Sequence, residues 1–544
     1  MFGSSQRHGH RIDLEDAMFD PLETPCQSLG EEPCSACSDV EDLNQQIKAI
    51  QTTLTKLFHE RSEAGTLFNA KHPSMIHRMP LEVTSNVFEH YAQHSSPLTL
   101  GAVCKDWRQV AWSAPRLWTL FVVHADRVNT DDMVEIGKEW LGRSGCLPLS
   151  VYFPRTEGPL DHVHLGKLIE AVNQHSGRWQ SLDLNLPPST LRLFRETGGS
   201  PTTLTNLALR ATIASEPVEV NVTKCSPRTA SIKFLPWNAL PFRRDTLTTI
   251  AADGLSVDEV FHVLQQAPLL QNASFEYVIH DPDAASSTDP GLRSAATHPL
   301  LQGLYIGFDG HVDIVTMGSF FDWINLPALT SLSVSAYDVE LPVPPLASFL
   351  TRSSCCLEEL ALMNCSVSDD GLLDLVKRTP SLKRLDVSAC FEQPVLQSFF
   401  TNLNRPSSTT TTRDPGHRSI LLPKLESFSW TGGPVFRWDL LLELLAPDHH
   451  EGNYFFRRPL KQIQVFCDRF IDDEDQDPTP YIDEQTLSRL ECAQLATGVS
   501  YDFAVAISMD PPIRADLLSM SFDRMHFNHT YDDIWGAYER LRIV

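Results

Sequence analysis

The side chains best suited to metal or nucleophilic chemistry in this chain are its 12 cysteines and 20 histidines. Cys34 and Cys37 form a C-x-x-C pair with Cys26 upstream, which is half of a familiar zinc-binding pattern. A structural zinc site needs four ligands, usually from two such pairs, and no second C-x-x-C occurs in the sequence. The spacing therefore predicts no metal site.

The histidines do not form a catalytic or metal-binding pattern either. His162 and His164 alternate, and His449 and His450 follow Asp448, but neither pair has further ligands at metal spacing. The sequence also lacks the phosphate-binding G-x-x-x-x-G-K-[ST] loop, the H-E-x-x-H zinc motif and the G-x-S-x-G nucleophile turn. We therefore expect a protein without catalytic residues, cofactor or metal.

The composition is that of a folded protein that binds other proteins. Of its 544 residues 42% are hydrophobic and 28 are phenylalanine, which excludes wholesale disorder. The net charge of −25 argues against binding nucleic acid or an anionic membrane, because both need a positive surface. Scattered cysteines, no apolar leader and no run of about 20 apolar residues predict a cytoplasmic or nuclear location.

The N-terminal part divides into two segments. Residues 1–38 are acidic and rich in Pro, Ser and Gly, which predicts disorder. Residues 39–71 carry a stripe at alternating spacings of three and four, which predicts a heptad-patterned helix: Leu43, Ile47, Ile50, Leu54, Leu57, Arg61 and Ala64. This helix can fold back on the next domain, or it can self-associate weakly as a coiled coil through residues 43–64.

Residues 72–121 hold three short amphipathic segments, each with its own start signal. Pro80 opens the first, which has an apolar face of Val83, Val87, Phe88 and Tyr91. The second is expected to be one helix from Leu98 to Ala111, with an apolar side of Leu100, Val103, Trp107 and Val110. Pro115 opens the last turn, which ends in Leu117, Trp118, Leu120 and Phe121. So small a unit cannot cover all these side chains, which predicts a permanent partner.

The segment M-P-L-E-V at 79–83, V-C-K-D-W-R at 103–108 and A-P-R-L-W at 114–118 together resemble the F-box, as found in the F-box-like proteins expanded in fungi. The resemblance implies a three-helix module that binds a Skp adaptor and, through it, a cullin–RING ubiquitin ligase. The adaptor contacts that it implies are Met79, Pro80, Leu81, Glu82, Val83, Phe88, Val103, Cys104, Trp107, Leu117 and Trp118.

After the F-box-like segment the pattern L-x-x-L-x-L recurs over residues 122–507. It starts at Trp179, Leu204, Leu247, Leu270, Leu301, Leu329, Leu357, Leu382, Leu425 and Leu460. Most spacings are near the 20–29 residues of leucine-rich repeats, and two gaps of 43 residues would need insertions. Cys365 and Cys390 occupy the same place in their repeats, which resembles the cysteine-containing subtype of this family.

The expected fold is therefore α/β: a three-helix module followed by a degenerate leucine-rich-repeat solenoid with parallel strands on its concave face. Residues 405–419 and 470–480 are expected to be inserted loops, with candidate phosphorylation sites at 407–412. The tail, 508–544, is expected to dock on the solenoid because it contains Trp535 and Tyr538.

Two functions fit this organisation. The resemblance implies a substrate-recognition subunit of a Skp–cullin–F-box ligase, with an unknown protein substrate held by the repeats. The alternative is a leucine-rich-repeat interaction scaffold whose F-box-like helices only cap the solenoid, since a solenoid needs a cap on its first repeat.

Overall fold

The computed structural model describes residues 35–71, 79–197, 204–211, 225–240, 242–280, 296–388, 397–403, 421–432, 436–445, 458–467, 482–506 and 514–527. The chain forms two compact units, 1–94 and 95–544. Four sequence predictions lie wholly or mostly outside the described residues: the disordered segment 1–38, the loops 405–419 and 470–480, and the phosphorylation sites at 407–412. Cys390, Trp535 and Tyr538 also lie outside them.

After residue 118, helices lie between most of the successive strands of the described residues. The α-helices are α1 (Ser35–Lys71), α2 (Leu81–Ala92), α3 (Pro97–Val103), α4 (Lys105–Ser113), α5 (Asp131–Arg143), α6 (His162–Gln174), α7 (Pro188–Leu191), α8 (Val257–Gln266), α9 (Ile314–Trp323), α10 (Val343–Ser353), α11 (Asp369–Arg378), α12 (Gln397–Leu403), α13 (Trp438–Leu445), α14 (Glu484–Thr497) and α15 (Leu517–Phe527).

The strands are β1 (Leu120–Val122), β2 (Leu149–Phe153), β3 (Trp179–Leu186), β4 (Asn206–Ala211), β5 (Thr229–Lys233), β6 (Thr249–Asp253), β7 (Asn272–Val278), β8 (Ala296–Thr297), β9 (Gly303–Phe308), β10 (Ile324–Asn325), β11 (Ser331–Glu340), β12 (Glu359–Ser366), β13 (Arg384–Ser388), β14 (Ser427–Gly432), β15 (Gln462–Cys467), β16 (Ser500–Ala506) and β17 (Arg514–Asp516). Short 3₁₀ turns include Pro115–Trp118.

The first unit contains α1 and α2. The helix predicted over 39–71 is α1, which begins at Ser35. Every side chain from 38 to 68 is exposed, including the apolar stripe, so no described residue of this unit covers the stripe.

The second unit is built on one sheet of 15 strands, in the order β1 to β7, β9 and β11 to β17. All neighbouring strands are parallel except β16 and β17, which are antiparallel. β8 and β10 form a separate two-stranded pair. The predicted α/β class with a long parallel sheet is confirmed.

The repeated leucines explain the sheet. In β12, Leu360 and Leu362 are buried while Glu359 and Ala361 alternate with them on the open face. Leu360 lies opposite Leu332 of β11 and Leu385 of β13, so equivalent leucines of successive repeats form one continuous core. The helices after the strands add their own apolar sides to this core and leave the other face of the sheet open.

α11 shows how a repeat helix is built. Ser368 caps it by accepting a hydrogen bond from the backbone N–H of Gly371. The helix then buries Leu372, Leu373, Leu375 and Val376, as the sequence predicted.

One of the two gaps of 43 residues is not an insertion, which corrects the sequence interpretation. It contains β5, whose Ala230 and Ile232 lie opposite Leu207 and Leu209 of β4. The repeat is hidden in the sequence because Pro227 takes the position of the leading leucine. Between β13 and β14, which pair directly, no further strand of the sheet intervenes.

The predicted single helix from Leu98 to Ala111 is wrong, because the structure has two helices there, α3 and α4. They are separated by Cys104, which has extended backbone angles (φ −158°, ψ 174°). Its sulfur accepts a hydrogen bond from the backbone N–H of Trp107 at 3.4 Å, and so caps α4. The expected module boundary at 121 also falls inside β1, because Phe121 is buried in the core of the sheet.

The described part of the tail packs on the last repeat. β17 pairs with β16, and α15 buries Leu517 and Met520. The hydroxyl of Ser521 accepts a hydrogen bond from the backbone N–H of Ile482 at 3.1 Å. Within the described ranges, no helix combines the length and the apolar character that crossing a membrane requires.

Candidate protein-interaction surfaces

The first candidate surface is the side of α2 that faces solvent. Pro80 precedes the helix, and its carbonyl accepts from the backbone N–H of Thr84 at 3.1 Å. Thr84 and Phe88 are buried, one turn apart on the same side. Leu81 is 57% exposed and Val83 43% exposed, which is high for large apolar side chains at the start of an ordered helix. Apolar area in water is unfavourable, which makes this side of α2 a candidate interaction surface.

The second unit carries the other predicted contacts on α3 and α4. Ser96 caps α3, and Pro97 occupies its first turn. The two helices meet closely, because the Trp112 ring lies against Gly101 in the space that a Cβ would take. Arg108 Nε also donates to the Gly101 carbonyl at 2.7 Å. Val103, at the end of α3, is left 57% exposed.

The last predicted contacts are internal supports. Trp118 is fully buried and donates from Nε1 to the Ala111 carbonyl at 2.8 Å. Its own carbonyl accepts from Trp140 Nε1 at 3.1 Å, which joins the 3₁₀ turn to α5. The Arg143 guanidinium lies 4.5 Å from the centre of the Trp112 ring and 4.9 Å from that of Trp118. These contacts fix α4 and the 3₁₀ turn to α5.

The predicted adaptor contacts therefore fall into three groups by exposure. The exposed ones are Pro80, Leu81, Glu82, Val83 and Val103; the half-buried ones are Met79, Cys104 and Trp107; the buried ones are Phe88, Leu117 and Trp118. Met79 to Phe88 belong to the first unit and Val103 to Trp118 to the second. Val87 and Tyr91 of α2 and Leu98 of α3 are exposed apolar residues that were not among the predicted contacts. Val87 and Tyr91 follow Val83 at steps of four, so helical spacing could have added them.

The second candidate surface is the open face of the sheet. Over β12 to β15 it forms a groove of about 530 Å³, lined by Glu358, Glu359, Lys383, Arg384, Leu385, Asp386, Glu426, Ser427, Ser429, Lys461, Gln462 and Gln464. Charges of opposite sign alternate between strands: Lys383 pairs with Glu358 at 2.8 Å and Lys461 with Glu426 at 2.6 Å. The hydrogen bond from Lys461 lowers the pKa of Glu426, and the bond to Glu358 raises that of Lys383.

Such a groove offers many hydrogen-bond donors and acceptors, and its positive and negative charges are mixed. That suits a polypeptide segment, which brings its own backbone donors and acceptors, better than a small charged metabolite. The face is also open rather than enclosed, unlike the concave apolar sites of small-molecule enzymes.

The histidines considered for chemistry have local roles where the structure describes them. Asp161 caps α6 through the backbone N–H groups of Val163 and His164, and its other oxygen lies 2.7 Å from His164 Nδ1. The bond to His164 lowers the pKa of Asp161. His449 and His450 lie outside the described residues. Across the described ranges, no three His, Cys, Asp or Glu side chains gather as a metal site would require.

Comparison with known proteins adds no name to these surfaces. No protein-family model matches the sequence. No curated protein matches it at a significant level.

Proposed function

We propose that this protein is the substrate-recognition subunit of a Skp–cullin–F-box ubiquitin ligase. The exposed apolar residues of the F-box-like helices bind the Skp adaptor, and the open face of the repeats binds a protein substrate. The observation that carries the proposal is that Leu81 and Val83 are exposed on the helix that buries Phe88, and that Val103 is exposed in the unit that buries Trp118. Side chains that are needed only for the fold of a small module would be buried, as those anchors are.

The proposed mechanism is geometric and needs no catalytic residue in this chain. Holding the substrate and the ligase on one scaffold turns their rare encounter into an effectively intramolecular one. Another subunit then transfers ubiquitin. The proposed location is the cytoplasm or the nucleus, without nucleic-acid or membrane partners, in keeping with the net charge of −25.

The test is capture of a Skp adaptor by the full chain. Replacing Leu81 by Asp together with Pro80→Ala should reduce capture by more than about a hundredfold, because an unpaired charge in an apolar interface costs several kcal/mol. Both residues are exposed, so the fold should survive. Binding is measured by titration of purified adaptor against the immobilised protein.

The matched control is Val315→Asp on α9, which places the same charge on a side chain that is 72% exposed. It should leave capture unchanged. No binding by the unaltered chain, or equal binding by the Leu81→Asp variant, would show that the protein is not such a receptor.

The second candidate function is an interaction scaffold whose F-box-like helices only cap the solenoid. It is favoured by the contacts that join Trp118 to Trp140 and Arg143 of α5, since they make α4 an end cover for the first repeat. The two functions differ in one outcome: a pure cap stabilises the repeats but captures no adaptor.

We also propose weak self-association through residues 43–64 of α1. The exposed stripe has the three-four spacing of a coiled-coil seam, on which two copies can pack. Arg61 in that seam weakens the pairing, because a polar seam position lowers coiled-coil stability.

A further inference from the structure

Three tyrosines lie together on the open face of the sheet: Tyr277 of β7, Tyr305 of β9 and Tyr337 of β11. The rings of Tyr277 and Tyr337 stack, with centroids 5.3 Å apart and planes at 17°. Their strands are not neighbours, because β9 lies between them, so their backbones are about 10 Å apart. The rings must therefore lean towards each other across β9.

Gly307 of β9 gives the cluster room. A Cβ added there would lie 3.2 Å from the Tyr305 hydroxyl, so that hydroxyl occupies the space over the glycine. A larger residue at this position would require the hydroxyl to move by a few tenths of an ångström.

Both outer tyrosines sit in backbone that favours glycine. Tyr277 has φ 48° and Tyr337 has φ 38°, and each lies where the register of its strand shifts. Such a conformation is strained for a residue other than glycine, and strained residues are often found at ligand sites. Bulges of this kind re-aim a side chain. Here two of them bring two rings into one stack.

The charges beside the cluster are unbalanced. Two carboxylates elsewhere on this face have cationic partners on the next strand: Asp183 with Arg210 at 2.6 Å, and Asp253 with Lys233 at 2.7 Å. Glu276, next to Tyr277, is exposed, and no described residue pairs with it.

The Glu276 carboxylate is close enough to affect the phenols. Burial, and after it Glu276, raises the pKa of Tyr305. A hydrogen bond to Tyr277 is the main cause that raises the pKa of Tyr337, to which Glu276 adds. The phenols of Tyr305 and Tyr337 are therefore neutral at physiological pH, and Glu276 is the carboxylate among the described residues that acts on both.

We propose that Tyr277, Tyr305, Tyr337 and Glu276 bind an arginine side chain of the protein substrate. A guanidinium stacks on aromatic faces and pairs with a carboxylate through its planar edge. Tyr277 is 43% exposed, so a ring of the stack remains open to such a ligand. The net charge of −25 favours the approach of a basic segment. This inference rests on the proposed function, since it names the substrate chemistry that the open face selects.

The probe is a short fluorescein-labelled Gly/Ser peptide with two arginines, titrated with the full chain and followed by anisotropy. Its partner probe carries citrulline, which has the same shape without the charge. Tyr277→Asn and Tyr337→Asn remove the rings but keep a residue that tolerates a left-handed backbone. Each substitution should weaken the binding of the arginine peptide about tenfold. Glu276→Gln, which keeps the shape of the side chain, should weaken it about threefold.

Two matched controls separate this site from diffuse attraction. Tyr152→Asn removes a tyrosine from the same face on β2, and Glu491→Gln removes one charge from α14. Both should bind the arginine peptide as the unaltered chain does, and the citrulline peptide should not bind. Equal binding of the two peptides, unchanged binding by Glu276→Gln and Tyr277→Asn, or an equal loss in Glu491→Gln would overturn the proposal.

Adaptor capture by the same variants keeps the two proposals apart. Capture without arginine-dependent binding would leave the receptor function standing and remove only this inference. Arginine-dependent binding without capture would leave the arginine site standing and remove the receptor function.

Discussion

At the scale of single residues, arginine side chains join successive repeats. Arg178 donates to the carbonyls of Leu141 and Leu147, and Arg352 to those of Phe321 and Ile324. Each reaches back to a helix that ends in the preceding repeat, where terminal carbonyls have no helical partner. The long, forked side chain can serve two carbonyls at once, which leucine packing cannot do.

Arg458 is the most buried of these groups, with 5% of its surface exposed. Its Nη2 donates to the Leu403 carbonyl at 2.9 Å and to that of Leu421 at 3.0 Å. Burial lowers its pKa to about 10, which still leaves it charged at neutral pH. The two bonds are therefore charge-assisted.

Replacing Arg458 by Ala should lower the free energy of unfolding by about 2–4 kcal/mol, because both carbonyls lose a donor inside the protein. Urea unfolding followed by circular dichroism measures the change. The control is Arg437→Ala, an exposed arginine paired with Asp439, which should change the free energy by less than about 0.5 kcal/mol. Equal effects of the two substitutions would contradict the role given to Arg458.

At the scale of elements, one cysteine decides where a helix breaks. Cys104 ends α3 and caps α4, although the apolar spacing on its two sides predicts one continuous helix. The spacing of apolar residues indicates which side chains share a helix face. It does not indicate that one residue between them has an extended backbone. The sulfur-capped break turns Val103 to solvent instead of placing it in line with Trp107.

Cys104→Ser should keep or slightly raise stability, because serine is a better cap than cysteine. Cys104→Ala should lower it by about 1 kcal/mol, since the Trp107 N–H then loses its acceptor. Thermal unfolding of the two variants and the unaltered chain provides the measurement. Matching losses in the Ser and Ala variants would mean that the cap contributes nothing.

The strands were predictable wherever the repeat kept its leucines. The patterns that start at Leu357 and Leu382 correctly predict β12 and β13. A spacing of 25 residues between apolar patterns of this kind is typical of leucine-rich repeats. β5 was not predicted because Pro227 replaces the leading leucine of its repeat. β2 was not predicted because Leu149, its first core residue, lies only two residues before the next core residue, Val151, instead of three. β17 has three residues, too few for any pattern.

The surfaces were less predictable than the strands. Leu81 and Phe88 are both apolar and lie on the same short helix, yet one is exposed and the other buried. Only the packing around the helix separates them. The tyrosine cluster has no sequence signature either, because its residues come from β7, β9 and β11 and meet through two bulges.

At the scale of the whole molecule, α1 presents its apolar stripe to water over a helix of 37 residues. We expect the purified chain to form dimers that dissociate on dilution, since burying the stripe between two copies removes apolar area from water. Analytical ultracentrifugation over a concentration series measures the association.

The double variant Ile50→Glu with Leu57→Glu should be monomeric throughout, because like charges would then face each other in the seam. Lys48→Glu with Lys56→Glu, outside the stripe, is the control for added negative charge and should dimerise as before. A chain that is monomeric at every concentration would exclude self-association through α1.

The two ends of the long sheet are narrow. β1 and β17 have three residues each, and β17 runs against the direction of the other strands. If two copies joined end to end, these short edge strands would form few hydrogen bonds, and their strand directions would not continue the parallel sheet. The two shortest strands of the main sheet therefore disfavour the growth of these stacked strands into a filament.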